Sequence, residues 1–168
     1  EVWGQREFMA STDERFRPVD VKVGPDGALY VIDMYRGIIQ DTMFMSDELR
    51  EQILARSLDK PVGMGRIWKI THGEGAVDAT YATDTSSSAL LRGLSDTNGW
   101  LRDTAQRLLL DAKFTDIKTD LELLVATDNG LGALHALWTL EGRGELTTET
   151  VSLGLASKRS SMQLAAMR

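Results

Sequence analysis

The chain has 168 residues, 42% of them hydrophobic and 26% charged, with 15 Gly, 3 Pro and no Cys. This composition excludes wholesale disorder and collagen-like structure, and the lack of Cys excludes disulfides, thiolate metal sites and a CxxCH haem site within these residues. The net charge is −6, with 10 basic against 13 acidic side chains in residues 1–75 and 9 against 12 in 76–168, so neither half offers a basic face for nucleic acid.

In chain order, Val19-Asp20-Val21-Lys22-Val23 alternates apolar and charged residues, the period of a half-buried strand. Pro25-Asp26-Gly27 follows: a preset φ, then a residue free to take positive φ, which makes a hairpin turn. Asp26 therefore reads as a turn former. The second strand, 28–35, carries apolar side chains on both faces, with Leu29 and Val31 on one and Tyr30, Ile32 and Met34 on the other. That pattern predicts cover on both sides. Ser46 followed by Asp47 and Glu48 predicts a capped helix over 46–57, in which Glu48 and Glu51 serve the dipole and solubility. Gly65 to Ile70 alternates again and predicts a third strand.

Residues 1–71 hold most of the aromatic side chains and five of the seven Met, whereas 86–168 are rich in Leu, Ala and Thr. The stretch between them is small and polar, a linker by composition. The second part repeats: Leu101-Arg102-Asp103-Thr104-Ala105, Gly132-Ala133-Leu134-His135-Ala136 and Met162-Gln163-Leu164-Ala165-Ala166 align at offsets of 31 and 30 residues. Each follows a polar turn and a preceding helical run, which predicts paired helices of an α-solenoid. Ala105, Ala136 and Ala166 are the expected close-approach positions. Leu108, Leu109, Leu137, Leu140, Trp100 and Trp138 are core candidates. His72 is expected to be exposed in the linker and His135 to be packed. No stretch approaches the roughly 18 apolar residues that a membrane helix needs. The opening Glu1-Val2-Trp3-Gly4 and the helical run at 162–168 read as a segment of a longer protein.

Residues 16–40, Phe16-Arg17-Pro18 through Ile38-Ile39-Gln40, resemble a β-propeller blade. More narrowly, they resemble the glucose/sorbosone-dehydrogenase-like propellers of large secreted proteins of planctomycete-type bacteria, a group described as membrane-bound dehydrogenases. Residues 60–70 resemble the strand that closes such a propeller, and residues 98–109 resemble the HEAT-like repeats that follow it there. The resemblance implies a two-part fold, antiparallel β-propeller blades followed by an α-α superhelix. Residues 1–75 would be a C-terminal blade region, 76–86 a linker and 87–168 HEAT-like repeats. It further implies a periplasmic or extracellular quinoprotein-type enzyme that oxidises a sugar or other alcohol. Pyrroloquinoline quinone and Ca²⁺ would be its cofactors, and electrons would pass to a c-type cytochrome domain outside this segment. On that reading Arg36, Asp33, Arg17 and Tyr35 gather at a channel, with the arginines toward quinone carboxylates and Asp33 holding Arg36 in place. Gly37 would supply the bend that turns Arg36. No catalytic base and no metal ligand is recognisable. The alternative is a non-catalytic propeller-plus-solenoid scaffold that binds protein or glycan, since fold alone does not fix function.

Overall fold

The structure, a computed structural model, describes residues 4, 7–73, 84–112, 114–127 and 130–168. The chain divides into two compact units, Glu1–Val23 with Ala28–Gly75, and Gly24–Gly27 with Ala76–Arg168. Most of the expected linker at 76–86 lies outside the described residues, as do Asp128 and Asn129 in one of the expected interhelix turns.

Strands β1 (Pro18–Val23) and β2 (Leu29–Asp33) form the expected antiparallel hairpin, and β3 (Arg66–Ile70) pairs antiparallel with β2. The sheet order is β1-β2-β3. The hairpin turn closes where the Gly27 N–H donates to the Gly24 carbonyl at 3.0 Å, with Gly27 at φ +73°. Only glycine takes that angle without steric cost. Between β2 and β3 lie a 3₁₀ turn at Thr42–Phe44 and helix α1 (Asp47–Ala55). The Ser46 hydroxyl accepts from the Leu49 N–H, satisfying one of the first-turn donors of α1. The helix ends in a Schellman pattern, with Leu58 N–H to the Ile53 carbonyl and Ser57 N–H to the Leu54 carbonyl. Ser57 stands at φ +53° where glycine is usual.

This β unit is not a propeller blade, which is four-stranded. The described residues form one open sheet of three strands, and helix rather than a fourth strand fills the β2–β3 connection. Nor is β2 covered on both faces. Val31 and Asp33 are buried, but Ile32 is 37% exposed and Met34 beyond it is exposed as well. An apolar run reads alike for a doubly covered strand and for a strand of an open sheet. Strand β1 is exposed along its whole length, so its valines are not the buried side of a half-covered strand.

The second unit contains α2 (Ser87–Gly93), α3 (Gly99–Asp111), α4 (Lys118–Thr127), α5 (Leu131–Gly142), α6 (Thr148–Leu155) and α7 (Ser160–Ala166). Side chains of Ser86, Asn98 and Thr147 cap α2, α3 and α6. The α-α superhelix is corrected as well. A solenoid stacks equivalent units whose contacts are confined to neighbours, whereas here unequal helices of 7 to 13 residues gather on one hub. That hub is α5, which packs on α3, α4, α6 and α7. Leu94, Leu109, Leu121, Ala136, Leu137 and Leu140 belong to a single buried cluster. The protein is thus a small mixed α and β chain with one three-stranded antiparallel sheet and, among the described residues, seven α-helices. None of these helices is long and apolar enough to cross a membrane.

Close helix approach does fall at the repeated alanines. A Cβ on Gly93 would stand 3.0 Å from the Ala105 Cβ, and one on Gly154 would stand 2.8 Å from the Ala166 Cβ. Ala136 is fully buried. Trp100, expected in the core, is exposed instead. Ala136→Leu should overpack the hub and lower stability by about 1 to 3 kcal/mol in chemical denaturation. Gly154→Ala should also destabilise, because the rigid Ala166 methyl outweighs the roughly 1 kcal/mol gain in helix propensity. An unchanged or raised midpoint for both variants would remove the close-packed seam.

Candidate functional site

A cluster of polar and aromatic side chains forms where β2 ends. Register sets it up. Antiparallel pairing places Asp33 directly opposite Arg66 on β3 and Val31 opposite Trp68. Directly opposed residues share a face, and Trp68 lies two residues along from Arg66 on the same side. Asp33 is only 1% exposed. Its Oδ1 accepts the Arg17 N–H at 2.8 Å and the Tyr35 N–H at 2.9 Å, and its Oδ2 accepts the Trp68 indole N–H at 3.1 Å. The Arg66 Nε stands 3.6 Å from Oδ2. Burial by itself would raise the Asp33 carboxyl pKa. The donors from Arg17, Trp68 and Tyr35 and the charge of Arg66 together overcome that effect and hold it below 3.8.

Around this carboxylate, Tyr35 adopts φ +48°, an uncommon conformation for an aromatic residue. Its N–H is tied to Asp33, and the Arg66 guanidinium lies over its ring at 3.6 Å from the centroid. The Trp68 ring is 5.4 Å from the same guanidinium. Outside this group, Asp13 is held below the usual carboxylate range by the Arg15 N–H and the Tyr35 side chain, with smaller help from the charges of Arg15 and Arg66.

The four residues singled out from sequence meet different fates. Arg17 Nε donates to the Arg36 carbonyl at 2.9 Å and its Nη2 to the Gly37 carbonyl at 3.2 Å. Asp33 faces Arg66 rather than Arg36, and Tyr35 underlies Arg66. Only the Arg36 side chain, half-buried, makes no hydrogen bond or ion pair with another described residue. Gly37 is explained by packing. A Cβ there would stand 2.6 Å from the Leu58 carbonyl oxygen and 2.7 Å from the Leu58 Cβ, so a side chain is excluded by a neighbouring loop. Arg66 and Trp68 were missed because only the β2–β3 register places them beside Asp33. Alternation in Arg66-Ile67-Trp68 was the one signal that they share a face.

His72 is exposed, as expected. His135 is packed, with its Nδ1 2.6 Å from the Gln106 Oε1, and burial pushes its pKa down. A half-open cavity of about 390 Å³ in the helical unit is lined by Leu137, Trp138, Leu146, Val151 and Ala166, with Glu141 and Arg168 as its charged members. It is apolar and has no convergent set of reactive groups. Among the described residues, no group of three or more His, Asp or Glu is placed to hold a metal ion.

Residues 2–74 match a domain family of unknown function, DUF7133. The matched stretch takes in the hairpin, α1, β3 and the whole Asp33 cluster. No curated protein and no solved structure matches the chain.

The depressed pKa of Asp33 makes a signed prediction. Its folded value lies below its unfolded value, so its contribution to stability is complete above pH 3.8 and is lost as pH falls through the folded value. Asp33→Asn keeps an acceptor for two backbone amides but turns an NH₂ toward the Trp68 indole N–H and the Arg66 cation. It should cost about 1 to 3 kcal/mol at neutral pH and remove this acid-dependent component. Hydrogen exchange of β2 amides against pH reads both effects. Equal protection in wild type and variant would show that the carboxylate does not hold the strand end.

Proposed function

We propose that this chain is a non-catalytic recognition module and that its β unit engages an acidic segment of a protein partner through Arg66. The observation that carries this reading is the clamped guanidinium. It is stacked on Tyr35, approached by Trp68 and oriented from behind by a buried carboxylate. Trp, Tyr and Arg are the side chains most enriched among residues that dominate binding energy at interfaces. An arginine whose rotamer is already fixed loses less entropy on binding than a free one. The Arg66 side chain keeps 37% exposure, and no hydrogen bond to another described residue engages its terminal nitrogens. A planar fork of that kind matches a carboxylate in bidentate geometry. The net charge of −6 does not oppose this strongly, because at physiological salt charges beyond about 8 Å are largely screened. The carboxylate nearest Arg66 is that of Asp33, 3.6 Å from its Nε, and Asp13 feels the charges of both Arg66 and Arg15.

A second reading makes the chain part of a quinoprotein-type dehydrogenase acting on a sugar or other alcohol outside the cytoplasm, with a cytochrome domain as electron acceptor. It rests on the resemblance of residues 16–40 and on the uncommitted Arg36 side chain. As a set, Arg36, Asp33, Arg17 and Tyr35 do not fit pyrroloquinoline quinone, since the last three already serve the chain's own backbone and Arg66. The described residues likewise offer no ligand group for Ca²⁺.

Calorimetric titration separates the two readings. A Glu/Asp-rich peptide should bind the wild type, its Gln/Asn counterpart should not, and Arg66→Lys should weaken binding about tenfold or more. Equal heats for the two peptides, or an affinity untouched by Arg66→Lys, would end the recognition reading at this site. Binding of a uronic-acid oligosaccharide in place of the peptide would change the partner class. For the second reading, titration with pyrroloquinoline quinone should show binding that Arg36→Lys weakens while the melting temperature is unchanged. No binding to the wild type would remove that reading for this segment.

A further inference from the structure

Strand β1 pairs with β2 on one side, and among the described residues no strand pairs with its other edge. All six of its residues are exposed, and Val19, Val21 and Val23 keep 51%, 50% and 45% of their surface. A free edge that presents half-exposed valines is a template for a further strand. Which strand would fit is written in β1 itself. Read antiparallel about Val21, the stretch Val19-Asp20-Val21-Lys22-Val23 is self-complementary, with Val19 meeting Val23, Asp20 meeting Lys22 and Val21 meeting Val21.

We infer that β1 pairs with β1 of a second copy of this chain, around a twofold axis through Val21, to extend the sheet from three strands to six. Such a contact is isologous and closes on itself. Both Asp20–Lys22 pairs form in this register, and opposite charges directly across a strand pair are favourable. Neighbouring registers fail. Centring on Asp20 opposes two aspartates, centring on Lys22 opposes two lysines, and a slip of one residue sets valines against charges. The other edge strand, β3, carries only Arg66 and Lys69 as charges, so no register of β3 against itself opposes opposite signs.

In the single chain the same groups are occupied within β1. The Val21 N–H donates to the Asp20 Oδ1 at 2.8 Å, and the Lys22 Nζ lies 3.5 Å from that oxygen. Pairing exchanges these contacts for equivalents across the interface: a partner carbonyl takes the Val21 amide, and the Asp20 carboxylate turns to the partner's Lys22. Pro18 has no N–H, so the new ladder ends at the Val19–Val23 pair, at the end of β1 where its register against β2 shifts between Pro18 and Asp20. A contact of about five residues per strand belongs to the small, transient class of interfaces, with a dissociation constant on the order of 100 µM.

The test is sedimentation equilibrium on the full 168-residue chain. Wild type should show a concentration-dependent monomer–dimer equilibrium. Asp20→Lys opposes lysine to lysine and Lys22→Asp opposes aspartate to aspartate, so each variant alone should be monomeric over the same range. An equimolar mixture of the two should dimerise again, because every charged pair is then opposite. Recovery in the mixture also shows that neither variant failed to fold. A wild type that stays monomeric throughout overturns the inference. So does wild-type dimerisation that both single variants retain, which would place the contact on another surface. A mixture no more associated than its components overturns it too.

Discussion

Asp33 is a charged side chain with almost no contact with water, a burial that costs several kcal/mol unless fixed donors replace the solvent. Three N–H groups and one guanidinium do replace it, and they come from three separate stretches of chain. The Arg17 amide lies just before β1, the Tyr35 amide just after β2, and the indole of Trp68 and the charge of Arg66 belong to β3. Any of those stretches that moves away leaves a buried carboxylate short of donors. The carboxylate therefore fixes the ends of all three strands, holds Tyr35 in a left-handed conformation and sets the angle at which Arg66 crosses its ring.

A second device recurs in both units: arginines that clasp backbone carbonyls at chain reversals. Arg15 donates to the carbonyls of Ser57 and Lys60, just beyond α1, and Arg17 donates to those of Arg36 and Gly37. In the helical unit, Arg143 donates to the Leu109 and Phe114 carbonyls near the end of α3 and pairs with Glu145. Arg102 reaches the Asp96 and Thr97 carbonyls before α3. The last carbonyls of a helix lack intrahelical partners, and a guanidinium offers several donors in a rigid fork. These arginines are thus committed to the fold, which is why Arg17 is a poor candidate for a ligand contact. Arg66 and Arg36 differ because their side chains cap no carbonyl among the described residues.

The two units are held differently. The helical unit depends on apolar burial and small residues, with α5 almost wholly apolar at its contacts and Gly93 and Gly154 allowing helices to touch. Much of the apolar surface of the β unit stays exposed, and a polar network gives it definition instead. A sheet of three strands with one charged, fully satisfied anchor keeps its edges and one aromatic-arginine cluster available at the surface. Recognition surfaces need that combination of fixed side chains and uncovered area.

The elements were legible in the amino-acid sequence because they rest on local chemistry. Valine alternation, the Pro-Asp-Gly turn, the Ser46 cap and the three aligned helical repeats each locate an element within a residue or two. The close approach at Ala105 and Ala166 was legible as well, since a small residue at a fixed helical position has few other uses. What sequence could not determine is the register in which β3 lies beside β2 and how much of each strand is covered. The resemblance of residues 16–40 to a propeller blade extended a local pattern to a fold that the described residues do not form. Only strand register puts Arg66 and Trp68 against Asp33, and only the packing of the 36–37 and 57–60 loops turns Arg17 and Arg15 into clasps and makes Gly37 obligatory. Local pattern determines which residues form a strand or a helix; the neighbours of a charged side chain are decided by contacts between residues distant in the chain, and these only the tertiary structure supplies.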